Sequence, residues 1–276
     1  MTGLTRQESQ EKLVALPATE TRKSDIRLWP SRLGLVGLAI LLVAFNYYFI
    51  IYSLQRHAAF QTAGFDLGIF DQLLWNTTQG RPFAFSIQEE ITSFWQVHFE
   101  PILFLLVPFY LLFGSARMLL IAQVVVVSLG AIPMYRLALW KLHSQPAALL
   151  YAAVYLLFPA LQGALVFDFH GLTLASTFLS FALWYLFRQQ YRWLLGTVIL
   201  AMACKENVPL LVVMMGGYIF LIQRHVRWGL VIGGLGLVWF AAANFIIIPW
   251  ASPVGENIHL ERYSQWGGSM AEVVVN

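Results

Sequence analysis

Apolar residues occupy long blocks along the chain, and polar residues fall in short clusters between them. The first block, Leu33–Leu54, is long enough for a helix that crosses a bilayer, which takes about 20 apolar residues. Further blocks cover Arg117–Leu137, Pro146–Val166, Leu172–Phe187, Trp193–Ala203, Val208–Ile222 and Gly229–Trp250. Ile102–Phe113 differs from these. It is short, bounded by Pro101 and Gly114 and interrupted by Pro108, and apolar runs of about 10–14 residues are commonly interfacial or re-entrant. Upstream, the spacing of Phe65, Ile69 and Leu73, joined by Phe70 and Leu74, predicts a helix over Phe65–Trp75 lying along a membrane surface, apolar side down. Gln79-Gly80-Arg81-Pro82 reads as a turn, and Ser86–Gln96 as a loop or short helix. Two short apolar blocks joined by Cys204-Lys205-Glu206-Asn207 predict a hairpin whose tip lies below the membrane surface and lines a cavity.

Composition sharpens this into a class. Of 276 residues, 59% are hydrophobic and only 11% charged, with a mean hydropathy of +0.67. A soluble domain needs more charge to cover its surface, so the pattern predicts an all-α integral membrane protein. Ten tryptophans and 15% aromatic residues suit interfacial belts. A net charge of +3, with no basic cluster interleaved with aromatics, gives no footing for nucleic acid. The single cysteine, Cys204, has no intramolecular disulfide partner. Residues 1–32 mix Arg6, Lys12, Arg22, Lys23, Arg27 and Arg32 with Glu8, Glu11, Glu20 and Asp25. They read as a loose cytoplasmic tail without a cleavable signal, ahead of a membrane module over 33–276.

Positive charge sets the sidedness. With Ile102–Phe113 interfacial, seven spans place Arg136, Lys141, Arg188, Arg192, Arg224 and Arg227 in cytoplasmic loops that hold no acid, as the bias of Lys and Arg toward that side requires. All ten carboxylates beyond the tail then fall on the outer side: Asp66, Asp71, Glu89, Glu90, Glu100, Asp168, Glu206, Glu256, Glu261 and Glu272. The expected location is the plasma membrane, with outer loops at 55–116, 167–171, 204–207 and 251–276.

The polar clusters of that face are where chemistry would reside. Asp66 and Asp71 diverge by about 140° on a regular helix, so they do not share one site. Asp66 suits either a helix cap or a catalytic base, and Asp71 a solvated or loop-anchoring role. His98-Phe99-Glu100 and Asp168-Phe169-His170 each set an imidazole and a carboxylate two residues apart, where an extended chain points both the same way, toward a metal, a phosphate or loop backbone. Lys205 and Glu206, at the hairpin tip, suit an ion pair or a phosphate contact. Arg56, Arg81, Arg117 and Arg262 share that side as further phosphate contacts. Asn76-Thr77-Thr78 matches a glycosylation acceptor.

Phe65-Asp66-Leu67-Gly68-Ile69-Phe70-Asp71-Gln72, with His98-Phe99-Glu100-Pro101, Phe167-Asp168-Phe169-His170 and Lys205-Glu206-Asn207, resembles an uncharacterised family of multi-pass prokaryotic membrane proteins from about Leu33 onward. That family is grouped with the GT-C glycosyltransferases, which take sugars from polyprenyl-phosphate carriers. The resemblance implies a GT-C-like bundle of about seven transmembrane helices with two juxtamembrane helices in the first outer loop. It implies Asp66 as the catalytic acid or base. It further implies a divalent metal, Mg or Mn rather than Zn, held by some of His98, Glu100, Asp168 and His170. Lys205 would contact the phosphate, with Glu206, Asp71 and Arg117 as further substrate contacts. The partners implied are a polyprenyl-phosphate-linked sugar and membrane lipid. Members of the family continue beyond this length, so the chain is expected to be a truncated module. The competing readings are a transporter or flippase of a lipid-linked or small solute, with its groups near mid-membrane, and a non-catalytic membrane subunit. The sidedness is testable by thiol labelling of intact cells. A membrane-impermeant maleimide should modify Gln61→Cys and leave Gln189→Cys untouched; the reverse pattern would invert the topology.

Overall fold

The computed structural model describes residues 30–87, 91–253 and 255. Glu89, Glu90, Glu256, Glu261, Arg262, Glu272 and nearly all of the tail lie outside them. Twelve helices account for most of the described chain. α1 (Arg32–Ala58) starts where the Ser31 hydroxyl accepts the Gly34 N–H. A wide π-type turn over Gly64–Gly68 leads into α2 (Ile69–Thr78), and after a long loop comes the short α3 (Val107–Phe113). α4 (Ala116–Ser128) and α5 (Ala131–Leu142) follow, then α6 (Gln145–Leu156), α7 (Pro159–Val166), α8 (Gly171–Phe187), α9 (Tyr191–Met202), α10 (Pro209–Leu221) and α11 (Val226–Ala242). α11 continues through a second π-type turn into α12 (Ile248–Ala251).

Each predicted span has a helical counterpart in the expected order. By length and apolarity three clearly suffice to cross a membrane: Arg32–Ala58, Ala116–Leu142 and Val226–Ala251. α6 and α7 make a fourth if their 43° bend is one broken span. Pro159 explains the bend, because proline lacks the N–H an unbroken helix would use there. α8, α9 and α10 are shorter apolar helices.

The distribution of burial is what a lipid solvent produces. On α1 only Gly34, Leu38, Phe45, Phe49 and Ser53 are buried, whereas Val36, Ile40, Val43, Tyr47 and Tyr48 lie exposed on the opposite side. A helix as apolar outside as inside has no polar face to offer water. The same holds for α11, where Leu230, Leu237 and Val238 are exposed.

The first loop departs from expectation in one respect. Phe65 is 60% exposed, and the buried residues are Leu67, Phe70, Leu73 and Leu74. The wide turn over Gly64–Gly68 rotates the register, so Phe65 faces outward and Phe70 inward. α2 therefore turns its apolar face onto α3 and α4. The turn predicted at Gln79–Pro82 is present, with Gly80 at φ +76°. Ser86–Gln96 forms no α-helix among its described residues; it pairs once with the preceding strand-like segment (Ala84 opposite Ser93) and ends in a single 3-10 turn. Pro101–Leu105 is 3-10, so Ile102–Phe113 divides into two pieces too short to cross.

Contacts sort the helix ends into two sets. At one, Lys141 and Arg188 stack on Trp140, and Tyr191 meets Gln223, His225 and Trp228. At the other lie all five described carboxylates: Asp66, Asp71, Glu100, Asp168 and Glu206. The segregation expected from sequence is thus built into the bundle.

α10 and α11 pack almost backbone to backbone. A Cβ on Gly216 would lie 2.3 Å from the Gly233 nitrogen and 2.9 Å from the Gly229 carbonyl oxygen. Small residues allow such close approach where no hydrophobic force joins helices in lipid. Gly216→Ala should therefore destabilise the detergent-solubilised protein by about 1–3 kcal/mol, seen as a lowered melting temperature. Gly217→Ala, whose Cβ meets nothing within 4 Å, should leave melting nearly unchanged.

Candidate functional site

The carboxylate end is held together by one buried pair. Asp168, in the α7–α8 loop, is 0% exposed. Its Oδ1 accepts from the Arg56 guanidinium at 2.6 Å and its Oδ2 from the Ala63 N–H at 2.7 Å. Arg56 ends α1 and Ala63 precedes the π-type turn, so one side chain ties the first span, the Asp66 segment and the α8 entry together. Removing one partner from such a pair costs about 3–5 kcal/mol, because the other is left buried and uncompensated.

Asp66 and His170 sit beside this pair and remain accessible. His170 Nε2 lies 3.4 Å from Asp66 Oδ1, with the side chains 38% and 31% exposed. His170 Nδ1 is 3.2 Å from the Asp168 carbonyl oxygen, and the His170 N–H donates to Gln123 Oε1. With Nδ1–H donating to that carbonyl, Nε2 faces Asp66. Asp66 does not cap its helix; Ala63 occupies the N-cap and no side chain caps the turn. His170 is the N-cap residue of α8, again without a side-chain cap. The Thr173 N–H bonds back to the His170 carbonyl, which leaves the Gly171 and Leu172 N–H groups at the start of α8 beside the exposed pair.

A second group lies across Gly171. Lys205 Nζ is 2.7 Å from Glu100 Oε1 and 3.9 Å from Glu206 Oε1. Glu206 also receives His98 Nδ1 at 3.0 Å and the Phe99 N–H at 3.2 Å. Asn244 Nδ2 donates to the Glu206 carbonyl oxygen, and the Ile102 N–H to that of Ala203, so the hairpin tip is clasped from both sides. Glu100 Oε2 is buried without a hydrogen-bond partner, and a Cβ on Gly171 would stand 2.3 Å from it. Phe70 and Phe94 bridge the groups: Phe70 packs edge-on to His170 and to Phe94, and Phe94 edge-on to His98.

Burial raises the Glu100 carboxyl to about 7, against the opposing pull of Lys205, with Glu206 adding to the rise. For Glu206 burial acts upward too, but the His98 hydrogen bond and the Lys205 and His98 charges outweigh it and hold the carboxyl below its usual value. Burial also pushes the Cys204 thiol up, which leaves it unreactive.

Seven of the expected residues thus form one neighbourhood: Asp66, His98, Glu100, Asp168, His170, Lys205 and Glu206. Asp71 and Arg117 stand apart. Asp71 accepts from the Tyr110 hydroxyl at 2.7 Å, pinning α2 to α3, and Arg117 is exposed with no ion pair among the described residues. The residues proposed for a metal do not fit one as they stand. Asp168 is occupied by Arg56 and Ala63, Glu100 by Lys205 and His98 by Glu206. Among the described residues no group of three or more His, Cys, Asp or Glu is placed to hold an ion. Sequence reading missed Gln123, which accepts from His170 and donates to the Ala164 carbonyl. Its signal was available: a lone amide inside an apolar span needs buried partners.

An apolar groove of about 510 Å³ opens between α5, α6–α7 and α8, lined by Met134, Tyr155, Phe158 and Leu161, with Thr173 and Ser176 along α8. Leu172 and Thr173 carry its wall to within two or three residues of His170. A second cavity, about 410 Å³, lies between α1 and the other flank of α6–α7.

Glu100 gives a pH signature. Its folded value, about 7, stands above the usual 4.5, so the folded state holds a proton that the unfolded chain releases. That contribution is complete below about pH 4.5 and is lost as pH rises through 7. Between pH 5 and 7.5 the melting temperature of the wild type should fall relative to that of Glu100→Gln; parallel profiles would place the proton elsewhere.

No curated protein and no solved structure matches the chain significantly. A family model described as "predicted membrane protein (DUF2079)" matches residues 56–276, the greater part of the chain. That description names neither an activity nor a GT-C grouping. The matched region takes in every site residue named above, and the chain belongs to this family of predicted membrane proteins.

Proposed function

We propose that the protein transfers a sugar from a polyprenyl-phosphate carrier to an acceptor hydroxyl on the outer membrane face. The observation that carries this reading is the half-exposed Asp66–His170 pair at the uncapped start of α8, the helix whose Leu172 and Thr173 line the apolar groove. A lipid-linked phosphate needs an apolar channel for its tail and hydrogen-bond donors for its head, and here the two adjoin. The tail lies in the groove between α5, α6–α7 and α8. The phosphate meets the Gly171 and Leu172 N–H groups at the start of α8, where the helix dipole favours negative charge, with His170 beside it.

Asp66 then takes the proton of the acceptor hydroxyl as its oxygen attacks the anomeric carbon. The new carbon–oxygen bond forms as the bond to the carrier phosphate breaks, and the phosphate leaves with the electron pair, its charge met by the α8 donors and His170. Lys205 and Arg56 support the site by holding Glu100 and Asp168, rather than by touching phosphate. The broken α6–α7 span favours one alternative, a transporter of lipid-linked solute, since such proteins use interrupted helices.

The test is transfer by the purified chain in proteoliposomes supplied with polyprenyl-phosphate-linked hexoses and pentoses and hydroxyl acceptors. Asp66→Asn should reduce transfer by about 10²–10⁴-fold, the range of a lost general base. Undiminished transfer would remove Asp66 from the reaction, and movement of unreacted carrier across the bilayer would favour transport.

A further inference from the structure

The basic end of the bundle carries a second constellation, which the proposed transfer does not use. α5 and α8 finish side by side there, and their indoles Trp140 and Trp184 meet edge to face at 6.4 Å. Lys141 Nζ stands 4.2 Å from the centre of the Trp140 ring. Arg188 Cζ lies 5.0 Å from the same ring and 5.7 Å from Trp184. Neither cation is in an ion pair with a described residue. Among the described residues, Arg188 Nε is buried with no acceptor.

Placement at helix C-termini accounts for the charges, since cations there complement the dipole. It does not account for the guanidinium. Stacking on indole fixes the cation's position but supplies no acceptor for the guanidinium's N–H donors. Two cations within reach of one ring also raise the local positive potential, which an anion nearby would lower. Tryptophans at the end of apolar helices mark the depth of lipid headgroups, and at that depth the abundant anionic acceptor is phosphate. Leu142 and Phe187, next in chain to Lys141 and Arg188, are 48% and 37% exposed, so apolar surface adjoins the cations as a lipid requires and a free anion does not.

We propose that Lys141 and Arg188 bind the phosphodiester of an anionic phospholipid, on a platform of Trp140 and Trp184, with its acyl chains against Leu142 and Phe187. The bound headgroup links the ends of α5 and α8, and the site lies at the opposite end of the bundle from Asp66.

Native mass spectrometry of the full chain in detergent, titrated with phosphatidylglycerol, phosphatidylcholine or glycerol 3-phosphate, tests this. Phosphatidylglycerol should be retained in preference to the other two. Lys141→Gln with Arg188→Gln should weaken it by about fivefold for each charge removed, and Arg224→Gln with Arg227→Gln, at the same end, should not. Should the first double variant fail to fold, Lys141→Gln alone, at an exposed position, should still show the fivefold loss. Unchanged phosphatidylglycerol affinity in the Lys141 and Arg188 variants would overturn the proposal. So would equal losses in both double variants, which would mean diffuse attraction, or equal binding of glycerol 3-phosphate, which would mean a site for soluble phosphate.

Discussion

A carboxylate with no exposure to solvent has to find its partners inside the protein, and Asp168 finds them in two places at once. Arg56 comes from the end of the first long helix, and the Ala63 N–H from the start of the turn that carries Asp66. Because the desolvation of both charges is only just repaid by their attraction, the pair works as a latch more than as a source of stability. Its effect is positional. It fixes where the Asp66 turn enters the bundle, and through the next two residues it fixes the imidazole that faces Asp66.

The same economy governs the rest of that end. Polar groups there are satisfied across elements: the hairpin tip by His98, Phe99 and Asn244, and the α7–α8 loop by Gln123. The charges of the Arg56–Asp168 and Lys205–Glu100 pairs are largely buried, whereas Asp66 and His170 are left part open. That contrast sets closed ion pairs around one accessible dyad. The same helix, α8, lines the apolar groove with Leu172, Thr173 and Ser176 and carries His170 at its cap.

Much of this was legible from residue order. The apolar blocks forecast the helices, and the separation of bases from acids forecast two chemically distinct ends. The four polar motifs forecast the neighbourhood in which seven residues meet. What sequence could not supply were the pairings. Two-residue spacing in His98-Phe99-Glu100 suggested a shared ligand, but the 3-10 geometry that follows sends His98 to Glu206 and Glu100 to Lys205. Asp66 looked like a cap because it precedes an apolar helix; a π-type turn, which no local pattern announces, put Ala63 there instead. The same turn left Phe65 off the buried face that Phe70, Leu73 and Leu74 share. Gln123 was visible in the sequence and simply lacked a partner until the α7–α8 loop was placed.

Gly171 shows how far a missing side chain reaches. It sits between the two acid groups, and the space a methyl would fill is already taken by the free oxygen of Glu100. The gauge of the seam between loop and hairpin is therefore set by hydrogen, not by any charged residue. An alanine here alters no charge and removes no donor, yet it would wedge the carboxylate from its lysine. A change at this glycine would thus reach the acid group through space alone, by moving the Glu100 carboxylate.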